Sequence, residues 1–171
     1  MPPLLSHLPP LGQDKDLLAV VETPKGSPNK YKYEETYGAF RLNTVMPKGS
    51  FWPYDFGFIP STVGEDGDPL DVLILMDEPA PMGCLVSIRL VGAIEAKQRE
   101  KDGNWERNDR LLAILTQSHT RADIHDLDDL GPALLNEIEQ FFANYTNQRG
   151  KPSSQSAVSA RRRHERSSRT E

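Results

Sequence analysis

Among 171 residues there is a single cysteine, Cys84, so an internal disulfide is excluded. Cys84 lies in the apolar run Cys84-Leu85-Val86-Ser87-Ile88, which favours a buried structural thiol. No apolar run approaches the roughly 18 residues of a membrane span, and none is expected. The start, Met1-Pro2-Pro3-Leu4-Leu5, lacks a basic segment followed by a long apolar one, so no secretory signal is expected and the cytoplasm is the default compartment. There is no Gly-x-x-x-x-Gly-Lys-[Ser/Thr] phosphate loop and no His-Glu-x-x-His zinc pair. His119 and His125 have no cysteine near them and read as surface or structural residues.

The charge is unevenly placed. Of 20 Lys/Arg and 25 Asp/Glu, seven and two respectively fall from Asn147 onward, leaving a body of net charge −10 and a basic end. An acidic body argues against a nucleic-acid-binding face and suits one that collects divalent cations. The run Arg161-Arg162-Arg163 reads as a solubilising feature of a loose tail, with an acidic partner or RNA as the other reading.

Three segments are expected. Residues 1–16 hold four prolines and form an N-terminal arm; residues 17–146 form one catalytic-sized domain; residues 147–171, rich in Ser, Arg, Gln and Lys, form a structureless tail. Within the domain, short strands are expected at 17–23, 31–34, 38–46, 69–75, 85–97 and 110–116, divided by Gly, Pro, Asn and Asp. Residues 51–59 are aromatic but interrupted by Pro53 and Gly57, and read as strand plus turn. Leu134, Leu135, Ile138, Phe141, Phe142 and Tyr145 make one apolar helical stripe, with Pro132 suited to the first turn. A shorter helix is expected near 122–130. Many short strands followed by a helix give an α+β fold, a closed or partly closed β-barrel with the C-terminal helix packed against it.

The densest chemical signal is Asp66-Gly67-Asp68-Pro69-Leu70-Asp71, directly before the apolar run Val72-Leu73-Ile74-Leu75. Glycine permits a tight turn and proline discourages helix, so three carboxylates are held close together. Close like charges raise one another's pKa unless a cation joins them, and hard oxygen ligands suit magnesium or manganese. On its own the stretch reads equally as a solvated turn, and it is no EF-hand loop. Glu22 reads alone as an exposed strand end, Lys30 and Lys32 as a solvated strand face, and the stretch from Asp102 to Arg110 as a polar hairpin loop.

In order, these pieces resemble the family I soluble inorganic pyrophosphatases. The resemblance runs from about Leu17 to Tyr145. Its most specific part is the 66–71 hexapeptide, which fits the family's D-G-D-P-x-D motif at each defined position. Val21-Glu22-Thr23-Pro24, the aromatic block from Trp52 to Phe58 and Phe141-Phe142-x-x-Tyr145 agree as well. The resemblance implies a five-stranded OB-like barrel with helices, magnesium dependence with manganese as a substitute, hydrolysis of pyrophosphate, and a homo-oligomer, usually a hexamer in bacteria. By matching positions it implies Asp68 as the acceptor of the attacking water's proton. It implies Asp66, Asp71, Glu22 and Asp102 as metal ligands, with Asn108 or, on a register slip of one, Asp109. Lys30, Arg110 and Tyr145 are the implied phosphate contacts.

The chain also departs from the pattern. Thr44 stands where an arginine is usual, Phe56 where a tyrosine is, Thr146 where a lysine is, Asn108 where an aspartate is, and Arg110 where a lysine is. The carboxylate set is complete and the cationic set is thinned. An active pyrophosphatase is the leading expectation. A hydrolase of another phosphoanhydride, or a weakly active or non-catalytic metal-binding homologue, is the alternative.

Overall fold

The structure is a computed structural model describing residues 4–99, 102–107, 109–148 and 153–159. The strands are β1 (Leu17–Thr23), β2 (Asn29–Glu34), β3 (Ala39–Val45), β4 (Asp55–Ile59), β5 (Leu70–Leu75), β6 (Leu85–Arg99), β7 (Trp105–Arg107), β8 (Arg110–Leu115) and β9 (Ser153–Ser159). The helices are α1 (Leu127–Leu130) and α2 (Pro132–Gln148).

Strand β1 pairs with β4, β4 with β5, β5 with β8, β8 with β6, and β6 returns to β1, so five strands close into a barrel. The β5–β8 pairing is parallel and the others antiparallel. The expected barrel with a C-terminal helix is what forms. Its strands are near-continuous apolar runs because both faces are covered. Alternate side chains point to opposite faces of a strand. Val72 and Ile74 of β5 join Ala19, Val21, Ile88 and Ala113 in the barrel interior. Leu73 and Leu75 join Leu112 and Ile114 against Ile138, Phe142 and Tyr145 of α2.

Strands β2 and β3 form a separate two-stranded sheet. It packs through Tyr33 and Phe40 on Val20 and Phe58. From Leu4 onward the arm lies on the body. It makes a 3₁₀ turn at Leu5–His7, and Leu5 packs on this same cluster. Ser61 donates from its backbone N–H to the Ser6 carbonyl and from its hydroxyl to the Leu8 carbonyl, both at 2.7 Å.

Several expectations are corrected. The structureless tail from Asn147 is not what the described residues show: α2 continues to Gln148, and β9 pairs antiparallel with β6. Strand β6 runs past the barrel, and its far part has N–H and C=O groups that a further strand satisfies without needing apolar side chains. Residues 160–171, including the arginine run, lie outside the described residues. The short helix is only Leu127–Leu130, capped by Asp126, whose side chain accepts from the N–H groups of Asp128 and Asp129. Leu127 fills the space left by Gly92, where a Cβ would lie 2.3 Å from its Cγ. Cys84 is half-buried rather than enclosed, because it sits at the open start of β6 beside exposed Leu85.

Two positions make this fold sensitive to small changes. Gly57 faces Val21 across the β1–β4 pairing, and a Cβ there would lie 1.9 Å from the Val20 carbonyl oxygen. Backbone cannot yield as a side-chain tip can. Gly57→Ala is therefore expected to cost at least about 3 kcal/mol in urea unfolding. Gly67→Ala meets nothing within 4 Å and carries only its positive φ of 83°, a cost of about 1 kcal/mol.

Asp55, 1% exposed, accepts backbone N–H bonds from Lys25 and Ala80, both at 3.3 Å. Burial nevertheless pushes its carboxyl from 3.8 up to about 6. A carboxyl raised on folding contributes stability fully below its unfolded pKa and loses it as pH rises through the folded value. Between pH 4 and 7 the Asp55→Asn variant should gain stability relative to the parent, by about 3 kcal/mol at the upper end. Parallel thermal melts across that range check this.

Candidate active site

The 66–71 hexapeptide links β4 to β5 as a tight turn. Gly64 N–H donates to the Asp68 carbonyl at 2.7 Å, Gly67 N–H to the Gly64 carbonyl at 3.1 Å, and Asp68 N–H to Asp66 Oδ1 at 3.1 Å. Gly67 takes the left-handed conformation that this turn requires. Leu70 N–H then donates to Thr62 Oγ1, and β5 begins. The turn leaves Asp66 and Asp68 exposed and Asp71 partly buried at the strand's start, opposite Phe58 of β4.

A concavity of about 440 Å³ lies between this turn and β2. Its wall includes Glu22, Lys30, Lys32, Asp66, Asp68 and Asp71. A second, smaller depression shares Asp66 and Asp71 and adds Arg107 and Asp109. Thus Glu22, Lys30, Asp66, Asp68 and Asp71 come together, and Asp109 lies next to them across a common wall.

Glu22 is the last residue but one of β1 and is 5% exposed. Its Oε1 accepts Tyr33 N–H at 2.7 Å. Burial lifts its carboxyl to about 7, against the pull of that hydrogen bond and of Lys30, while Asp71 adds to the rise. Burial also raises Asp71, and Asp66 adds to it, although Lys30, Arg110 and Lys32 draw it down. Negative charge in this pocket is therefore only partly balanced by the chain's own cations.

Lys30 Nζ lies 5.0 Å from the Phe56 ring centroid, 5.6 Å from that of Tyr145 and 5.8 Å from that of Trp52. This aromatic floor holds an ammonium by its negative ring faces. Phe56 is one of its three rings. Arg110 Cζ lies 4.4 Å from the Phe142 ring centroid. Arg110 is buried against α2 and Tyr145 is a buried residue of that helix, and neither lines either concavity. Thr44 pairs with Lys30 across β2–β3, and its hydroxyl donates to Asn43 Oδ1. The Thr146 hydroxyl donates back to the Phe142 carbonyl at 2.8 Å, within α2.

Two residues matter that sequence reasoning passed over. Lys32 was grouped with a solvated strand face, yet its Nζ lies 2.6 Å from Asp68 Oδ2. Burial lowers the Lys32 ammonium's pKa, but the Asp68 hydrogen bond and charge, with Glu22 and Asp71, leave it raised. Its spacing of two from Lys30 was the available signal, since such residues share a strand face. Arg107 donates from Nε to Asp109 Oδ2 at 2.6 Å, so the second depression also contains a cation from the chain. Asp102 is exposed in the turn before β7, where it accepts from Asn104 N–H and Nδ2, both at 2.9 Å, and it lines neither concavity. Asn108 lies outside the described residues.

The inorganic pyrophosphatase family profile matches residues 19–169. The chain belongs to the inorganic pyrophosphatase family. It is 39% identical over 126 residues to "Inorganic pyrophosphatase" of Thermus thermophilus, covering 74% of this chain and 69% of that one. It is 35% identical over 143 residues to "Inorganic pyrophosphatase" of Nostoc sp., covering 84% and 82%. The solved structure of inorganic pyrophosphatase from Thermus thermophilus superposes with a TM-score of 0.82 at 32% identity, over 93% of this chain and 91% of that one.

Members of this family work with metal ions, and the donor set here suits such an ion. Asp66, Asp68, Asp71 and Glu22 offer only carboxylate oxygen, the chemistry preferred by magnesium and manganese, and burial leaves Glu22 and Asp71 short of countercharge. Among the described residues, no three such side chains converge as they stand into a ready cage. Asp68 and Asp109 are turned to Lys32 and Arg107 instead.

Asp71 lies on the wall shared by both concavities, so it should matter more to cation uptake than Asp68. Calorimetric titration with magnesium should show Asp71→Asn weakened by about tenfold or more, because a partly buried carboxylate loses its charge. Asp68→Asn should stay within a few-fold of the parent.

Proposed function

We propose that this protein hydrolyses inorganic pyrophosphate to two phosphates with magnesium as the required cation and manganese as a substitute. The observation that carries the reading is the meeting of six carboxylates, Asp66, Asp68, Asp71 and Glu22 among them, and two lysines on one concavity, in a chain of the pyrophosphatase family. Asp66, Asp71 and Glu22 would hold the metal, with Asp109 on the far side of the shared wall; Asp102 and Asn108 remain family-based assignments without geometric support. The ion, when bound, neutralises pyrophosphate charge and lowers the pKa of water.

The chain's own residues do the rest. Lys30, seated on its aromatic floor, holds a phosphate oxygen. Asp68, half-exposed on its loop, accepts the proton as a water oxygen attacks phosphorus. The bond from phosphorus to the bridging oxygen breaks, and its electron pair leaves with the second phosphate. Arg110 acts on this centre through its charge on Asp71, and Tyr145 through the ring beneath Lys30. Such a transfer needs mainly positioning and charge stabilisation.

A homo-oligomer, a hexamer by family resemblance, and a cytoplasmic setting complete the proposal. The exposed Leu42 and Val45 of β3 suit a chain that associates with copies of itself. No helix among the described residues is long and apolar enough to cross a membrane. A second reading, hydrolysis of another phosphoanhydride, is favoured by Thr44 and Thr146, which bring no positive charge to the site.

Phosphate release from pyrophosphate, ATP and tripolyphosphate, each with and without magnesium, tests the reading. Release from pyrophosphate only with the metal, and much less from the other two, is the expected outcome. Preference for ATP or tripolyphosphate would favour the second reading, and no release from any substrate would reject hydrolysis.

A further inference from the structure

Lys32 is the feature of this site that neither the family pattern quoted above nor the charge of Lys30 explains. Lys30 and Lys32 share β2 two residues apart, and both line the same concavity. They are its only cationic wall residues among the described residues. The other nearby cations are engaged elsewhere. Arg41 faces Glu34 at 3.8 Å and lies over the Tyr37 ring, and the Arg110 guanidinium lies over Phe142. Thr44 and Thr146 contribute hydroxyls where charge would be useful, and one of those is bonded back into its own helix.

We propose that Lys32 is a phosphate-holding residue of this site, which sits on Asp68 in the absence of substrate and moves to a phosphoryl oxygen when pyrophosphate enters. The inference rests on the pyrophosphatase reading. The contact that Lys32 leaves is an inexpensive one. Its side chain is 39% exposed and that of Asp68 52%, and exposed ion pairs are worth little because water screens them. A phosphoryl oxygen offers a stronger charge-assisted hydrogen bond than the carboxylate it replaces. The exchange has a second effect. While the ammonium donates to it, Asp68 Oδ2 is occupied, so departure of Lys32 frees that oxygen only once substrate is present. Before that, the pair keeps an acidic loop from carrying a naked charge into the concavity.

The test uses the full chain and methylenediphosphonate, whose bridging carbon resists hydrolysis. Its binding is measured by calorimetry with magnesium and again with chelator, for the parent, Lys32→Met and Lys32→Arg. Lys32→Met should weaken binding by about tenfold or more in both conditions and should raise KM for pyrophosphate more than it lowers kcat. Lys32→Arg should keep most of the affinity. The loss should persist when Lys32→Met is made in an Asp68→Asn background, where the ion pair no longer exists.

Unchanged or tighter binding by Lys32→Met would overturn the proposal and leave Lys32 as a simple neutraliser of Asp68. A loss that vanishes in the Asp68→Asn background would do the same, and so would a parent that does not bind the analogue. A parent that binds the analogue with Lys32-dependent affinity yet releases no phosphate from pyrophosphate would sustain the role of Lys32 in binding and reject the hydrolytic reading on which its catalytic use depends.

Discussion

From Val72 to Leu75 strand β5 has no solvent face, and the rest of the site depends on that constraint. Val72 and Ile74 fill the barrel, while Leu73 and Leu75 meet α2. A strand enclosed on both sides cannot slide by one residue without exchanging its two faces. Its first charged residue, Asp71, is therefore held at one depth, where the packed interior stops and the acidic turn begins. Pairing of β5 with β4 and β8 fixes that point from both sides, and the adjoining turn inherits the position.

Around this fixed carboxylate the chain has arranged an incomplete charge balance. Lys30, Lys32 and Arg110 all draw Asp71 toward its ionised form, yet burial keeps it raised and lifts Glu22 to about 7. A fully neutral pocket would have little affinity for a further cation, and a bare acidic one would weaken the fold around it. The protein lies between these limits. Two of its outer carboxylates are paired with its own cations, and burial raises the pKa of the two inner ones.

Much of this was readable in the residues because the strands are short, apolar and sharply punctuated. The interval Leu17–Thr23 was expected and is observed without change, since Asp16 and Pro24 bound it on both sides. The apolar stripe of α2 was equally plain. What escaped was structure made by partners rather than by local pattern. Strand β9 carries little apolar signal and depends on the open edge of β6. Cys84 sits in an apolar run, but that run begins where the barrel is still open, so composition misjudged its burial. Lys32 looked like a solvated strand residue because its partner is 36 positions away, on a loop whose shape only the fold defines. Asp102 is the converse case: matching by position assigns to the site a side chain that is exposed in the turn before β7 and accepts two hydrogen bonds from Asn104.

The wall formed by Asp66 and Asp71 separates two depressions and belongs to both. Whatever binds on one side changes the field felt on the other, and thermodynamic reciprocity makes the influence equal in both directions. A first cation would draw on the same two carboxylates that a second one needs, so successive ions should bind with falling affinity. An anion long enough to reach across the wall would reverse that trend, since its own oxygens would replace the charge that the shared aspartates cannot offer twice.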